Sequence, residues 1–150
     1  MPITAPTNTR DRRVAIAYHS LLGTTKKYAL WLSQIVHADC LTYRQATAKR
    51  LTAYDTVVVL SGTYVGHMPL VGFLKKHWSA MLNKRVIVVA VGVLPPDSPD
   101  SIASYEHIPE NIRQHIVYIK IPGKIGKEEN PLKPVAPENL RPVIDAISQG

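Results

Sequence analysis

The chain has 150 residues, of which 45% are hydrophobic, and this size and composition predict one soluble globular domain with a buried core. Its one cysteine excludes a disulfide framework and any multi-cysteine zinc or iron–sulfur site. No apolar run approaches the roughly 20 residues that span a bilayer. The polar start of the chain lacks the apolar core of a signal peptide. We therefore expect a cytoplasmic protein, with attachment to a membrane surface as an alternative.

The charge of the chain is strongly positive. The 18 Lys and Arg residues exceed the 11 Asp and Glu residues, which gives a net charge of +7. Residues 1–50 contain eight basic and two acidic residues, so the excess lies mainly in the first third. Such a field favours an anionic ligand, an acidic protein or an anionic surface, although solubility alone also explains it. The basic residues near Arg10 and Arg50 have no interleaved aromatic residues, which argues against nucleic-acid binding.

In the first half of the chain, apolar runs alternate with amphipathic segments. Residues 1–12 show no apolar periodicity and are predicted to form a flexible arm, followed by one domain over 13–150. The predicted elements are, in order, a strand at 14–18, a turn at 19–24, a helix to about residue 36, an edge strand at 39–43 and a helical turn with a loop at 47–54.

The second half repeats the alternation. The predicted elements are a strand at 57–60, a loop with Gly62 and Gly66, a helix at 70–82, a strand at 86–91, a proline-rich turn at 95–100, a helix at 101–114 interrupted near Pro109, a strand at 115–121 and a helix at 137–148 that Pro142 must start, kink or end. Alternating strands and helices predict a parallel sheet covered on both faces. The fold class is therefore an α/β three-layer sandwich with five parallel strands in the order 2-1-3-4-5.

The turn after the first strand has the composition of an anion-binding loop. Ser20, Thr24 and Thr25 supply hydroxyl groups, and Gly23 lets the backbone approach a ligand closely. The N-terminus of the following helix adds free N–H groups and a positive dipole. A phosphate there would also offset Lys26 and Lys27, although Ser20 or Thr24 capping the helix is the simpler alternative. The chain has neither a P-loop nor a GxGxxG fingerprint.

Four stretches carry a resemblance to a known family. Residues 18–29 resemble the FMN phosphate loop of flavodoxins, and 54–67 resemble the third strand with its flavin loop. Residues 84–93 are similar to the fourth strand and its flavin loop. The stretch 115–125 is similar to a short flavodoxin-domain subfamily that includes menaquinone-dependent protoporphyrinogen oxidases. The resemblance spans about residues 13 to 126 and implies a flavodoxin-like fold that binds FMN.

The resemblance also implies which residues hold the cofactor. The phosphate loop would consist of Ser20, Leu21, Leu22, Gly23, Thr24 and Thr25. One side of the isoalloxazine ring would meet Thr63, Tyr64, Val65 and Gly66, and the other side Gly92 and Val93. Tyr64 would stack on the flavin, because an aromatic face offers offset contact with a flat ring; a partly buried loop tyrosine is the alternative.

The chain departs from the flavodoxin pattern in ways that leave three functions open. Leu21 and Leu22 replace small or hydroxyl residues, no second aromatic residue follows the fourth strand, and the charge is basic rather than acidic. We expect an FMN-binding redox protein whose partner is an acidic protein or a quinone at a membrane surface. One alternative is a flavodoxin-fold module without FMN that binds an acidic protein or an anionic surface. The other is a quinone-linked flavin oxidase of the protoporphyrinogen oxidase type.

No residue can be assigned a catalytic role from the sequence. The six histidines form no ligand pair on a helical face, so no metal site is expected. His19 and His67 fall on loops at the predicted ligand end, where solvent exposure is the simpler interpretation. Asp97 and Asp100 are expected to form turns between prolines. Cys40 is expected to be a small apolar residue of the edge strand rather than a nucleophile.

Overall fold

The computed structural model describes residues 13–64, 66–125, 128–129 and 132–149, so the predicted arm at 1–12 and Val65 lie outside the described residues. Its main sheet consists of β1 (Val14–His19), β2 (Asp39–Thr42), β3 (Thr56–Gly62), β4 (Arg85–Gly92) and β5 (Ile116–Pro122). The strands pair in the order β2-β1-β3-β4-β5, and every pair is parallel. The predicted strand order is therefore confirmed.

Helices connect these strands and cover both faces of the sheet. They are α1 (Thr24–Val36), α2 (Ala48–Leu51), α3 (Pro69–Met81), α4 (Pro99–Glu106), α5 (Glu110–Arg113) and α6 (Arg141–Ser148), the last preceded by a 3-10 helix at Pro137–Leu140. None of the helices in the described ranges has both the length and the apolar character needed to cross a membrane.

Prolines set three of the helix boundaries. Helix α4 begins at Pro99, two residues before the predicted start, because the fixed φ of proline suits the first helical turn. Ser98 caps this helix by accepting a hydrogen bond from the Ser101 amide. Pro109 separates α4 from α5, as predicted. Pro142 lies in the first turn of α6, so it starts this helix rather than ending or kinking it.

The sheet separates two apolar cores. Every residue of β3 is buried, and its alternate side chains enter opposite layers. Val57 and Val59 pack in the layer that contains α2, α3 and α5. Val58 and Leu60 pack in the layer that contains α1 and α6. The strand order reverses between β1 and β3, where the carboxyl ends of the strands leave room for a ligand.

A short hairpin follows β5 that the sequence analysis did not predict. The strands β6 (Lys124–Ile125) and β7 (Glu128–Glu129) pair in antiparallel orientation. Each has only two residues, which is too short to show alternation of apolar and polar side chains. The consequence for the site is that the chain turns at Gly123 instead of continuing past the end of β5.

Tyr28 links α1 to the end of β5. Its side chain is fully buried, and its hydroxyl donates to the Pro122 carbonyl at 2.5 Å. The same hydroxyl accepts a hydrogen bond from the Asn139 side-chain amide at 2.9 Å. One hydroxyl thus connects α1, β5 and the 3-10 helix before α6, which are far apart in sequence.

We expect Tyr28→Phe to lower the free energy of unfolding by about 1–2 kcal/mol, because it removes the donor to the half-buried Pro122 carbonyl and one of the two acceptors of the Asn139 amide. Tyr105→Phe is the matched control, since no hydrogen bond to the Tyr105 hydroxyl occurs within the described ranges. Urea unfolding of both variants measures the difference. Equal stabilities of the two variants would show that the Tyr28 hydroxyl does not hold these elements together.

Candidate functional site

A glycine and a serine determine the conformation of the loop between β1 and α1. Gly23 has a φ of 99°, a left-handed conformation that favours glycine, and it occupies the N-cap position of α1. The Ser20 hydroxyl accepts a hydrogen bond from the Gly23 amide at 3.0 Å. Ser20 therefore closes the loop and does not cap the first turn of α1, and no other side-chain cap is present there. The N–H groups at the start of α1 remain available to an anion.

A pocket lies where this loop meets the carboxyl ends of β3 and β4. It is lined by Ser20, Leu22, Thr24, Thr25, Gly62, Thr63, Tyr64, Val91, Gly92 and Lys124. Most of the predicted cofactor residues are therefore brought together, although they come from three separate loops. The first loop contributes hydroxyl groups to the lining, and the ends of β3 and β4 contribute Gly62, Val91 and Gly92.

The remaining predicted residues have other positions. Leu21 is exposed and does not line the pocket, and Gly23 shapes the loop from behind. Gly66 has a φ of 77° and forms the turn of a small bridge in which Tyr64 and His67 exchange backbone hydrogen bonds. Val93 lines a neighbouring cavity with Leu94 and Pro95.

Thr63 places an unpaired hydroxyl at the base of the pocket. Its amide donates to the Val91 carbonyl at 2.9 Å, which fixes the loop after β3 against the end of β4. Its side-chain oxygen is buried and has no hydrogen-bond partner within the described part of the chain. A buried polar atom without a partner costs stability unless a ligand or water satisfies it. Thr63 is therefore a candidate ligand contact on structural grounds.

Tyr64 lies across the end of β3 and narrows the pocket. A Cβ atom on Gly62 would stand 2.5 Å from the Tyr64 hydroxyl oxygen, so the ring can take this position only over a glycine. The pocket that remains has a volume of about 40 Å³. A flat ligand that enters from this side must either lie against the Tyr64 ring or displace it.

The cation in the pocket is Lys124, which the sequence analysis missed. Lys26 and Lys27, expected beside the phosphate, are exposed and do not line the pocket. The Lys27 ammonium instead lies 5.7 Å from the centre of the Trp31 ring. Lys124 reaches the pocket because the Gly123 amide donates to the Gly92 carbonyl at 2.9 Å, which folds the chain back over β4. The dipeptide Pro122-Gly123 directly before Lys124 is a local signal of this turn.

The other residues considered from the sequence lie outside the pocket. His19 is exposed at the end of β1, and Asp97 and Asp100 are exposed in the turn and first residues of α4. Burial raises the pKa of the Cys40 thiol, which disfavours the reactive thiolate. Within the described ranges, no group of three His, Cys, Asp or Glu residues is placed to hold a metal ion.

Comparisons with known proteins agree with this architecture. A family model described as a flavodoxin domain matches residues 15–126. A flavodoxin from Archaea superposes with a TM-score of 0.58 at 16% identity and covers 91% of this chain and 94% of its own. Flavodoxin 2 from Bacillus cereus gives 0.57 at 18%, covering 91% and 98%. A short-chain flavodoxin associated with a bacterial microcompartment gives 0.61 at 15%, covering 91% and 96%. No curated protein sequence matches the chain.

We expect Gly123→Ala to destabilise the protein by about 2 kcal/mol, because the new Cβ atom would stand 2.8 Å from the Gly92 amide nitrogen. Gly72→Ala is the matched control: this glycine lies within α3 with no atom within 4 Å of the added Cβ. Alanine favours a helix over glycine, so the control should gain about 0.5–1 kcal/mol. Thermal or urea unfolding gives both values, and a neutral Gly123→Ala would contradict the close approach of the two loops.

Proposed function

The chain belongs to the flavodoxin domain family, and from this premise we propose that it binds FMN in the pocket described above and acts as a redox protein. The observation that carries the proposal is the convergence of three hydroxyl side chains, an uncapped helix N-terminus and Lys124 on one pocket. These groups suit a phosphate dianion, because they supply several donors and a positive charge without a competing carboxylate among the lining residues.

The phosphate would be held by the loop between β1 and α1. The Ser20 hydroxyl oxygen already accepts from Gly23, so its proton is free to be donated to a phosphate oxygen. Thr25 is almost fully buried at the start of α1, and its hydroxyl therefore has a fixed position. Leu21 is 66% exposed and does not line the pocket, whereas Leu22 lines the pocket beside these donors.

The ring system would lie toward the ends of β3 and β4. The Thr63 hydroxyl is available to a polar edge of the flavin, and Tyr64 offers an aromatic face. When bound, the flavin supplies reversible transfer of one or two electrons. Among the described lining residues, Tyr64 and Lys124 carry the groups that could act as an acid or base. We assign neither of them such a role, so the proposal is electron transfer, and a quinone-linked oxidation of the protoporphyrinogen oxidase type is the alternative.

We expect the purified protein to bind FMN with a dissociation constant in or below the micromolar range, as measured by quenching of flavin fluorescence. Lys124→Ala should weaken FMN binding about tenfold, because it removes a charge-assisted contact worth about 1–2 kcal/mol. Riboflavin, which has no phosphate, should bind the variant and the wild-type protein equally.

Lys27→Ala is the matched control for this experiment. It removes the same charge from the surface near the loop, but Lys27 lies outside the pocket against Trp31. FMN affinity should change less than threefold in this variant. No binding at tens of micromolar FMN would contradict the proposal as a whole, whereas equal losses in both variants would assign the effect to net charge rather than to a phosphate contact.

A module without FMN is the second candidate function, and the position of Tyr64 favours it. The ring lies over Gly62 and leaves little free volume in the pocket. The exposed Leu21 and Leu22 beside it offer apolar surface to a protein or membrane partner. In this case the double change Ser20→Ala and Thr25→Ala should leave activity in the host intact. Loss of that activity together with loss of flavin would support the FMN-binding protein instead.

A further inference from the structure

A third cavity lies beside the edge strand β5, under α4, and shares Pro96 and Lys120 with the neighbouring cavity that Val93 lines. It has a volume of about 300 Å³ and is lined by Pro96, Ser101, Ile102, Tyr105, Tyr118 and Lys120. It shares no lining residue with the proposed FMN pocket. Its volume is at the lower end of the range of small-molecule sites, about 300–1,000 Å³.

Lys120 supplies the cavity with a positive charge that no acidic group offsets. Tyr118 and Lys120 are two residues apart on β5, so their side chains leave the same face of the strand. The Lys120 ammonium donates to the Ser101 hydroxyl oxygen at 2.5 Å, and no ion pair to Lys120 occurs in the described part of the chain. Burial lowers the pKa of Lys120, as expected for an ammonium group that has lost water without gaining a counter-charge.

A network of serines fixes the position of this ammonium group. Ser101 is nearly fully buried, and its hydroxyl oxygen accepts hydrogen bonds from both Lys120 and the Ser98 hydroxyl. The Ser98 oxygen in turn accepts from the Ser101 amide at 3.2 Å. An ammonium group has three N–H donors. One is used by Ser101, which leaves the others for a ligand in the cavity.

Aromatic side chains form the walls. The rings of Tyr105 and Tyr118 lie 4.7 Å apart at an angle of 59°. The Arg113 guanidinium carbon lies 5.5 Å from the centre of the Tyr105 ring but does not line the cavity. Ile102 is 46% exposed at the rim, where it offers apolar contact without closing the entrance. The cavity therefore combines flat apolar surfaces with one fixed cation.

We propose that this cavity binds a small planar aromatic carboxylate, with the carboxylate on the Lys120 ammonium and the ring against Tyr105 and Tyr118. A carboxylate compensates the charge, and an aromatic ring makes offset or edge contacts with the tyrosines. A phosphate would suit the cation but would leave the aromatic walls without contact. The cavity is next to the end of β4, because the Lys120 nitrogen lies 3.4 Å from the place of a Cβ atom on Gly92. The inference does not depend on bound FMN.

Benzoate is the probe, titrated into the full chain while amide chemical shifts are followed by NMR. We expect saturable shifts at Ser101, Tyr118 and Lys120 with a dissociation constant in the millimolar range. Benzamide has the same ring without the charge, and it should bind at least tenfold more weakly. Cyclohexanecarboxylate has the charge without the aromatic ring, and it should also bind more weakly than benzoate.

Lys120→Met should weaken benzoate binding at least tenfold, whereas Lys75→Met, on the exposed surface of α3, should leave it unchanged. Lys120→Arg, which keeps a cation, should retain part of the affinity. If Lys120→Met does not fold, the benzoate and benzamide titrations of the wild-type protein decide the question. Equal binding of those two probes, or no saturation at tens of millimolar benzoate, would overturn the proposal. Lys124→Ala should not alter benzoate binding, which separates this result from the FMN experiment.

Discussion

The arrangement of the proposed FMN pocket depends on the close approach of backbones at the carboxyl edge of the sheet. The Gly123 amide donates to the Gly92 carbonyl, and the Thr63 amide donates to the Val91 carbonyl. These two hydrogen bonds hold the loops after β3 and β5 against the end of β4. A side chain at position 123 would collide with the Gly92 backbone, so the contact requires glycine. Without this contact, the segment after β5 would not be held against the end of β4.

The turn at Gly123 separates the two lysines that line the pockets. Lys120 lies on β5, before Gly123, and lines the cavity under α4. Lys124 follows Gly123 and lines the pocket beside the loop after β1. Two lysines that are four residues apart therefore line two different pockets. The hydroxyl of Tyr28 supports the same turn, because it bonds the carbonyl of Pro122 directly before Gly123. The segment Pro122–Gly123 therefore contributes both to the stability of the fold and to the position of Lys124.

The fold was predictable from the sequence, and the site only in part. Buried parallel strands such as 57–60 and 86–91 are apolar on both faces, so local composition identifies them and their order follows from alternation with helices. The loop from Ser20 to Thr25 was predictable because its donors are adjacent in sequence. Lys124 was not, since its place depends on a contact between Gly123 and Gly92, 31 residues apart. The position of Tyr64 likewise depends on the missing side chain of Gly62.

The distribution of charge along the sequence does not predict which charged residues line the two pockets. The positive excess lies in the first third of the chain, yet both lysines that line the pockets come from the last third, which is neutral overall. Arg13 stands before β1, at the opposite edge of the sheet, where its guanidinium pairs with Asp39 at 3.3 Å and lies over the Tyr54 ring. A local field depends on distance and burial more than on a sum of charges. The basic residues of the first third that the structure describes line neither pocket, so a ligand in either one would meet the charge of Lys120 or Lys124 instead.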